Sequence, residues 1–416
     1  MRFRWFGALL VVIAALWVAQ FSLRVAPLSV DGPLPGPSPL SAFEGDPPIT
    51  SAEEWMVRRA PLLRAAFQNF VYGSPPAATP PAIARRRVID EHAFGGLGRL
   101  EELQLVVHGP RGDASFALLV ATPRQIRGSV PVVIAPNFCG NAAAVGRRYR
   151  ALAEPVWLAP RCRTLVGRAL ARAMQGAHIV RPAFRELLSH GYAVATFSPG
   201  EIAPDDARLA VAALARLPDA SADRLGAVGA WAWAISRVVD VVSREPGIDA
   251  SRIAVFGHSR FGKAALWATA TDMRIGAVIA NQSGRLGASP SESHVGETLR
   301  GLFRRYPHWF PRVVETEGVS DEIDQHLLLA LIAPRPILLN GATLDRWSDP
   351  AGAFRAAEAA SPVYALFGRV GLDQADMRST NLDADIAFYL RPGGHGVRAS
   401  DWATARAFLD AHFKAV

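Results

Sequence analysis

Residues Arg252 to Lys263 read RIAVFGHSRFGK. Arg252 to Phe256 is a short apolar, β-branched run of the kind that forms a buried parallel strand. From Arg260 the pattern becomes helical, through Lys263, Ala264, Ala265, Leu266 and Trp267. Gly257, His258 and Ser259 lie at the joint. A serine on so tight a strand-to-helix turn is lifted above the sheet edge, with its hydroxyl exposed at a helix N-terminus, which is the nucleophile-elbow arrangement. The generic pattern G-x-S-x-G is not met, because Phe261 takes the place of the second glycine and Gly262 follows one position later. On its own, G-x-S fits an ordinary strand-turn-helix junction with an N-capping serine at least as well. The rest of the chain has to decide.

Working outward, apolar runs at Leu100 to Val107, Ser115 to Thr122 and Val130 to Pro136 read as strands separated by turn residues. After Asn137 to Asn141 comes an insertion, Ala142 to Arg181, with eight arginines and one acid, Glu154. It is expected on the surface near the mouth of a site, although a solvated basic face would carry the same composition. Alternation then resumes: a helix from Arg185 to His190, a strand from Tyr192 to Phe197, a helix from Gly226 to Ser243, then the central strand. Further strands are expected at Ile275 to Ala280, Pro336 to Asn340 and Ile386 to Leu390. Strands separated by helices imply an α/β fold with a mostly parallel central sheet covered on both faces. Ligands in such sheets gather beyond the carboxyl ends of the strands, where Ser259 stands.

The N-terminal part reads differently. Trp5 to Leu23 is uncharged and follows Arg2 and Arg4. As a helix rising about 1.5 Å per residue it reaches roughly 28 Å, close to the hydrocarbon thickness of a bilayer. Residues 1–26 are therefore a signal peptide or an N-terminal inner-membrane anchor, and the rest of the chain is exported, periplasmic or extracellular. Residues 27–50, rich in proline, glycine and serine, read as a linker. A catalytic domain is expected over residues 51–416, starting with a helix from Ser51 to Tyr72 whose Trp55, Leu62, Leu63, Phe67 and Val71 share a face.

The chain has 416 residues, 50% hydrophobic and 20% charged, enough for a large core. Its net charge of +8 is spread without a long basic run or a nucleic-acid motif, so no nucleic-acid partner is expected. The histidines are scattered without ligand spacing, so neither metal nor cofactor is implied. A monomer is expected. Cys139 and Cys162 belong to an exported chain, so a disulfide between them is permitted by compartment.

If Ser259 is a nucleophile, an acid and a histidine should follow it in the chain. Asp345, in the loop after Pro336 to Asn340, is the expected orienting acid. Asp349 precedes Pro350 and reads as a helix cap. His395, held in Arg391-Pro392-Gly393-Gly394-His395-Gly396, has no packing reason to be on that loop and is the expected general base.

These residues resemble the glucuronoyl esterases, carbohydrate esterases of the α/β-hydrolase superfamily that cleave lignin-carbohydrate esters. The resemblance runs from about Trp55 onward. Its most specific element is Ser259-Arg260-Phe261-Gly262-Lys263, which accounts for the failed generic elbow. Asn137-Phe138-x-Gly140-Asn141, Gly191 to Thr196, Gly296-Glu297-Thr298, Pro307-His308-Trp309-Phe310, Asp324-Gln325-His326, Trp347-Ser348-Asp349-Pro350 and Arg391 to His395 also match. The resemblance implies an oxyanion site made by the Arg260 N–H and guanidinium. It also implies substrate contacts from Lys263, Glu297 and Trp347, of which Lys263 lies one helical turn from Ser259. His326 reads better as a structural histidine.

One position departs from the family. Many members carry a catalytic glutamate where this chain has Gln282, and an amide cannot stabilise an imidazolium. Asp345 occupies the alternative acid position. Three readings follow: a serine esterase acting on esters of glucuronic or 4-O-methylglucuronic acid, a broader carboxylesterase or acetyl xylan esterase, or a carbohydrate-binding pseudoenzyme in which Gln282 marks lost catalysis.

Overall fold

A computed structural model describes residues 34, 36–41, 47–77, 79–109, 112–124, 128–149, 152, 157–217, 224–291, 295–320 and 322–414. The expected export segment, residues 1–26, lies outside these. Among the described residues no helix is long and apolar enough to cross a membrane.

Among the described residues, nine strands form a single sheet in the order β1-β2-β3-β5-β4-β6-β7-β8-β9. They are β1 (Ala82–His92), β2 (Gly98–Val107), β3 (Ala114–Pro123), β4 (Val130–Ile134), β5 (Ala193–Phe197), β6 (Ile248–His258), β7 (Ala277–Asn281), β8 (Ile337–Ala342) and β9 (Ile386–Arg391). The pairs β1–β2, β2–β3 and β3–β5 are antiparallel and the other five are parallel. Alternate side chains go to opposite faces, as a pleated strand requires. Val132 and Ile134 join Val255, Val278 and Leu339 under the helices Ala60–Phe67, Ala227–Val242, Arg260–Thr271, Gln325–Ala330 and Pro350–Leu366. Val133 and Ala135 join Phe256, Ile279 and Leu338 under Phe184–Ser189 and Ala399–Phe413.

The N-terminal helical run covers Ala52 to Tyr72, with π-helical turns at Trp55–Arg59 and Gln68–Tyr72. Just before it, Ile49 is buried and His326 Nε2 donates to the Pro37 carbonyl at 2.8 Å, so part of the proline-rich stretch rests on the domain. That contact gives His326 the structural role expected for it.

The insertion is built from short helices, including Pro160–Arg163 and Leu165–Gln175. A disulfide joins Cys139 to Cys162 and ties it to the end of β4. At its far end Val397 N–H donates to the Gln175 carbonyl at 2.7 Å. Both attachments flank the parallel strand ends.

Candidate active site

Ser259 sits at φ 55°, ψ −125° between β6 and the helix Arg260–Thr271. For a residue with a Cβ this conformation costs about 1–3 kcal/mol, and surrounding contacts must hold it. They do so here. Ser259 N–H donates to the Asn281 carbonyl at 2.9 Å, and the Ser259 carbonyl accepts from Gly262 N–H at 2.8 Å. Gly257 permits the tight return, since a Cβ there would run into the Phe261 carbonyl oxygen. A Cβ on Gly262 would lie 2.9 Å from the Ser283 Cβ, so the glycine that the generic pattern wants one place earlier is needed here. Phe261 instead packs its ring on Phe138 and Trp231 at centroid distances of 4.5 and 5.2 Å.

His395 and Asp345 meet, 50 residues apart in the chain: His395 Nδ1 lies 2.8 Å from Asp345 Oδ2. An ionised carboxylate only accepts, so Nδ1 carries the hydrogen and Nε2 is left as the basic atom. Ser348 Oγ donates to the same Oδ2 at 2.6 Å. Burial pushes the Asp345 carboxyl up, but His395 and the bonds from His395 and Ser348 outweigh it and hold the group below its ordinary value. Asp349, as expected, caps a helix: its Oδ1 accepts from Gly352 N–H at 3.0 Å.

Among the described residues no hydrogen bond joins the Ser259 hydroxyl to His395. The sheet brings them to one place: the ring of His258, the residue before Ser259, lies 4.6 Å from the His395 ring between centroids. Burial, then the neighbouring His395, holds His258 well below the usual imidazole range, so it is a neutral ring at this contact.

The loop carrying His395 is clamped from within. Arg391 pairs with Asp401 at 2.9 Å, both buried, and donates to the carbonyls of Pro392, Gly394 and Gly396 at 3.1, 3.0 and 2.9 Å. Gln282, at φ 52°, donates its N–H to the Asn340 carbonyl and accepts from Gly396 N–H through Oε1, both at 2.8 Å. The amide that cannot serve as the acid thus holds the histidine loop.

Lys263 is 1% exposed, donating to Glu297 Oε2 at 2.8 Å and to the Arg285 carbonyl. Burial lowers its pKa and Glu297 opposes that. Glu297 N–H donates to the Trp347 carbonyl at 3.1 Å, while the Trp347 indole is 39% exposed with the Arg305 guanidinium 5.7 Å above it. The expected substrate contacts are therefore linked, and Trp347 is the one that faces solvent most.

Arg260 has a partner that sequence reasoning missed. Its Nη1 pairs with Asp205 Oδ2, and its guanidinium lies 4.9 Å from the Trp309 ring, 5.6 Å from Tyr306 and 5.8 Å from Phe138. Burial, and then Arg161, pushes its pKa down to about 10. Arg161 comes from the insertion beside Cys162 and lies 5.6 Å from the other contact of the site, the Phe138 ring. An elbow hydroxyl, an imidazole oriented by a carboxylate and a fixed cation are the parts of a serine-dependent acyl transfer.

The family described as "Glucuronyl esterase, fungi" matches residues 177–368. Carbohydrate esterase MZ0003 from an unknown prokaryotic organism is 34% identical over 390 residues, covering 90% of this chain and 89% of the relative. The chain belongs to the glucuronoyl esterase family. Its likeness to the fungal members is more local: 4-O-methyl-glucuronoyl methylesterase 1 of Phanerochaete chrysosporium is 33% identical over 154 residues, 34% of this chain and 33% of that protein. Solved glucuronoyl esterase structures share the fold over nearly the whole chain. A promiscuous CE15 esterase from a marine bacterial metagenome has TM-score 0.78 at 30% identity, covering 94% of this chain and 98% of that one. The glucuronoyl esterase from Solibacter usitatus has TM-score 0.79 at 29% identity, covering 92% and 98%. These relatives support the α/β-hydrolase fold read from the elbow and the alternating elements.

Proposed function

We propose that this glucuronoyl esterase family member hydrolyses esters of glucuronic or 4-O-methylglucuronic acid through Ser259, His395 and Asp345. The observation that carries the reading is the 2.8 Å contact between His395 Nδ1 and Asp345 Oδ2 beside the strained Ser259 turn. His395 Nε2 takes the proton of Ser259 as its Oγ attacks the ester carbonyl carbon, and Asp345 stabilises the imidazolium. His395 then gives that proton to the departing alcohol oxygen, leaving an acyl-enzyme. Water, deprotonated by the same imidazole, releases the uronic acid and restores the serine. The Arg260 N–H and guanidinium stabilise the oxyanion in both halves. The Lys263–Glu297 pair and the exposed Trp347 indole contact the sugar.

Export of the chain, by signal peptide or anchor, fits a glycan substrate and the Cys139–Cys162 disulfide. A broader ester range is the second reading, favoured by the likeness to a promiscuous CE15 esterase. Hydrolysis of benzyl glucuronate and of an aryl acetate by the wild type, Ser259→Ala and Asp345→Asn separates the two. Preference for the glucuronate supports the first reading and preference for the acetate the second. Turnover that survives Ser259→Ala contradicts both.

A further inference from the structure

The long Arg260 side chain can stabilise an oxyanion only if it is held toward the reacting carbonyl. We propose that Asp205 is the positioning residue that holds it there, an inference that rests on the esterase reading above. Asp205 lies between the turn Pro199–Glu201, which follows β5, and the helix Ala207–Leu214. Its carboxylate is shared out. Oδ2 pairs with Arg260 Nη1, while Oδ1 accepts from Trp309 Nε1–H at 2.7 Å and faces His308 Nε2 at 3.0 Å. Those neighbours fix the carboxylate, and the carboxylate fixes the guanidinium.

The aromatic surroundings complete the holder. Trp309 stacks on Tyr306 at a centroid distance of 3.9 Å and an interplanar angle of 4°, and both rings pack against the guanidinium. Cation–π contact alone lets a guanidinium slide over the ring face, whereas a carboxylate at its edge sets its rotation. Arg161, on the same Phe138 ring, repels Arg260. Asp205 offsets that repulsion, which would otherwise turn Arg260 away.

Helix capping does not account for Asp205, because its neighbour Asp206 does that work. Asp206 Oδ1 accepts from the N–H groups of Arg208 and Leu209 at 3.0 and 3.1 Å. Nor is the site fully exposed: the Arg260 and Asp205 side chains are 14% and 15% exposed.

The test is a double-mutant cycle on benzyl glucuronate with Asp205→Ala, Arg260→Ala and the double variant, with Ser259→Ala as the control for the esterase reading. Loss of one oxyanion donor costs about 10²-fold in kcat, so Arg260→Ala is expected to fall by roughly that factor. Asp205→Ala is expected to lower kcat by about 10-fold or more with KM changed less than about 3-fold, and the double variant to be no slower than Arg260→Ala. Asp205→Asn keeps an acceptor for Trp309 without the charge, and is expected to lose kcat too while unfolding near the wild-type temperature. It also replaces Asp205→Ala in the cycle if that variant does not fold. Losses that multiply in the double variant, unimpaired kcat in Asp205→Asn, or unimpaired kcat in Arg260→Ala overturn the inference while the esterase reading stands. Turnover by Ser259→Ala overturns the reading itself.

Discussion

Asp345 is 2% exposed and surrounded by donors, with Ser348 and His395 both on Oδ2. A buried carboxylate so placed holds one imidazole tautomer, and its pKa lies below the ordinary value, so it stays ionised. Asp345→Asn keeps the size and loses both effects. Benzyl glucuronate turnover is expected to fall by about 10⁴-fold, measured as kcat, with little change in KM. Gln282 is a different kind of case. Its Oε1 holds Gly396 N–H, so Gln282→Ala frees the loop that carries His395 and is expected to reduce kcat by about 10- to 100-fold. A kcat unchanged in Gln282→Ala would show that the loop needs no such tie. The meeting of Asp345 with His395 was legible because each residue stands in a local pattern with a chemical reason. The contacts of Asp205 and Gln282 were not, since each has a partner more than 50 residues away that no local spacing encodes.

Among the described strands, β1 was the one missed. Ala82–His92 carries Arg85, Arg86 and Arg87 and is largely exposed, so it shows none of the alternation that reveals a half-buried strand. It is an edge strand held by charge: Arg87 pairs with Glu102 at 2.8 Å and Arg86 with Glu245 at 2.6 Å. The parallel strands β4 to β9 were legible because burial on both faces makes them continuous apolar runs. The glycine-rich loop after β9 is framed by the buried pair of Arg391 and Asp401. Arg391→Ala leaves a buried carboxylate unpaired and is expected to cost about 3–5 kcal/mol, read by urea unfolding. Glu201, at the end of the turn after β5, accepts from Ala117 N–H at 2.9 Å while burial pushes its carboxyl up to about 7. The folded state then binds a proton that the unfolded chain releases, so stability falls as pH rises from about 4.5 to 7. Glu201→Gln is expected to raise the Tm at pH 8 by a few degrees and to leave it unchanged at pH 4. Equal shifts at both values would refute the titration.

For the molecule as a whole, the insertion is the part whose fold could least be read from composition. Its eight arginines suggested a basic surface, near the mouth of a site or simply solvated. The Cys139–Cys162 disulfide gives that surface a fixed place, bringing Arg161 onto the same Phe138 ring as Arg260. With the cysteines 23 positions apart, removing the bridge is expected to cost about 3 kcal/mol. Cys139→Ser with Cys162→Ser should lower the unfolding free energy read from urea titration by that amount, moving the midpoint down, and dithiothreitol should do the same to the wild type. No shift in either would mean that the bridge does not constrain the chain.

The proposed hydrolysis depends on a single nucleophile activated by one imidazole and one carboxylate. Labelling with an aryl fluorophosphonate, followed by peptide mapping, reads this directly. The result expected is one adduct, on Ser259, formed at least about 10³-fold more slowly in His395→Ala and Asp345→Asn. An adduct on another residue, or labelling of Ser259 at the wild-type rate in those variants, would contradict it.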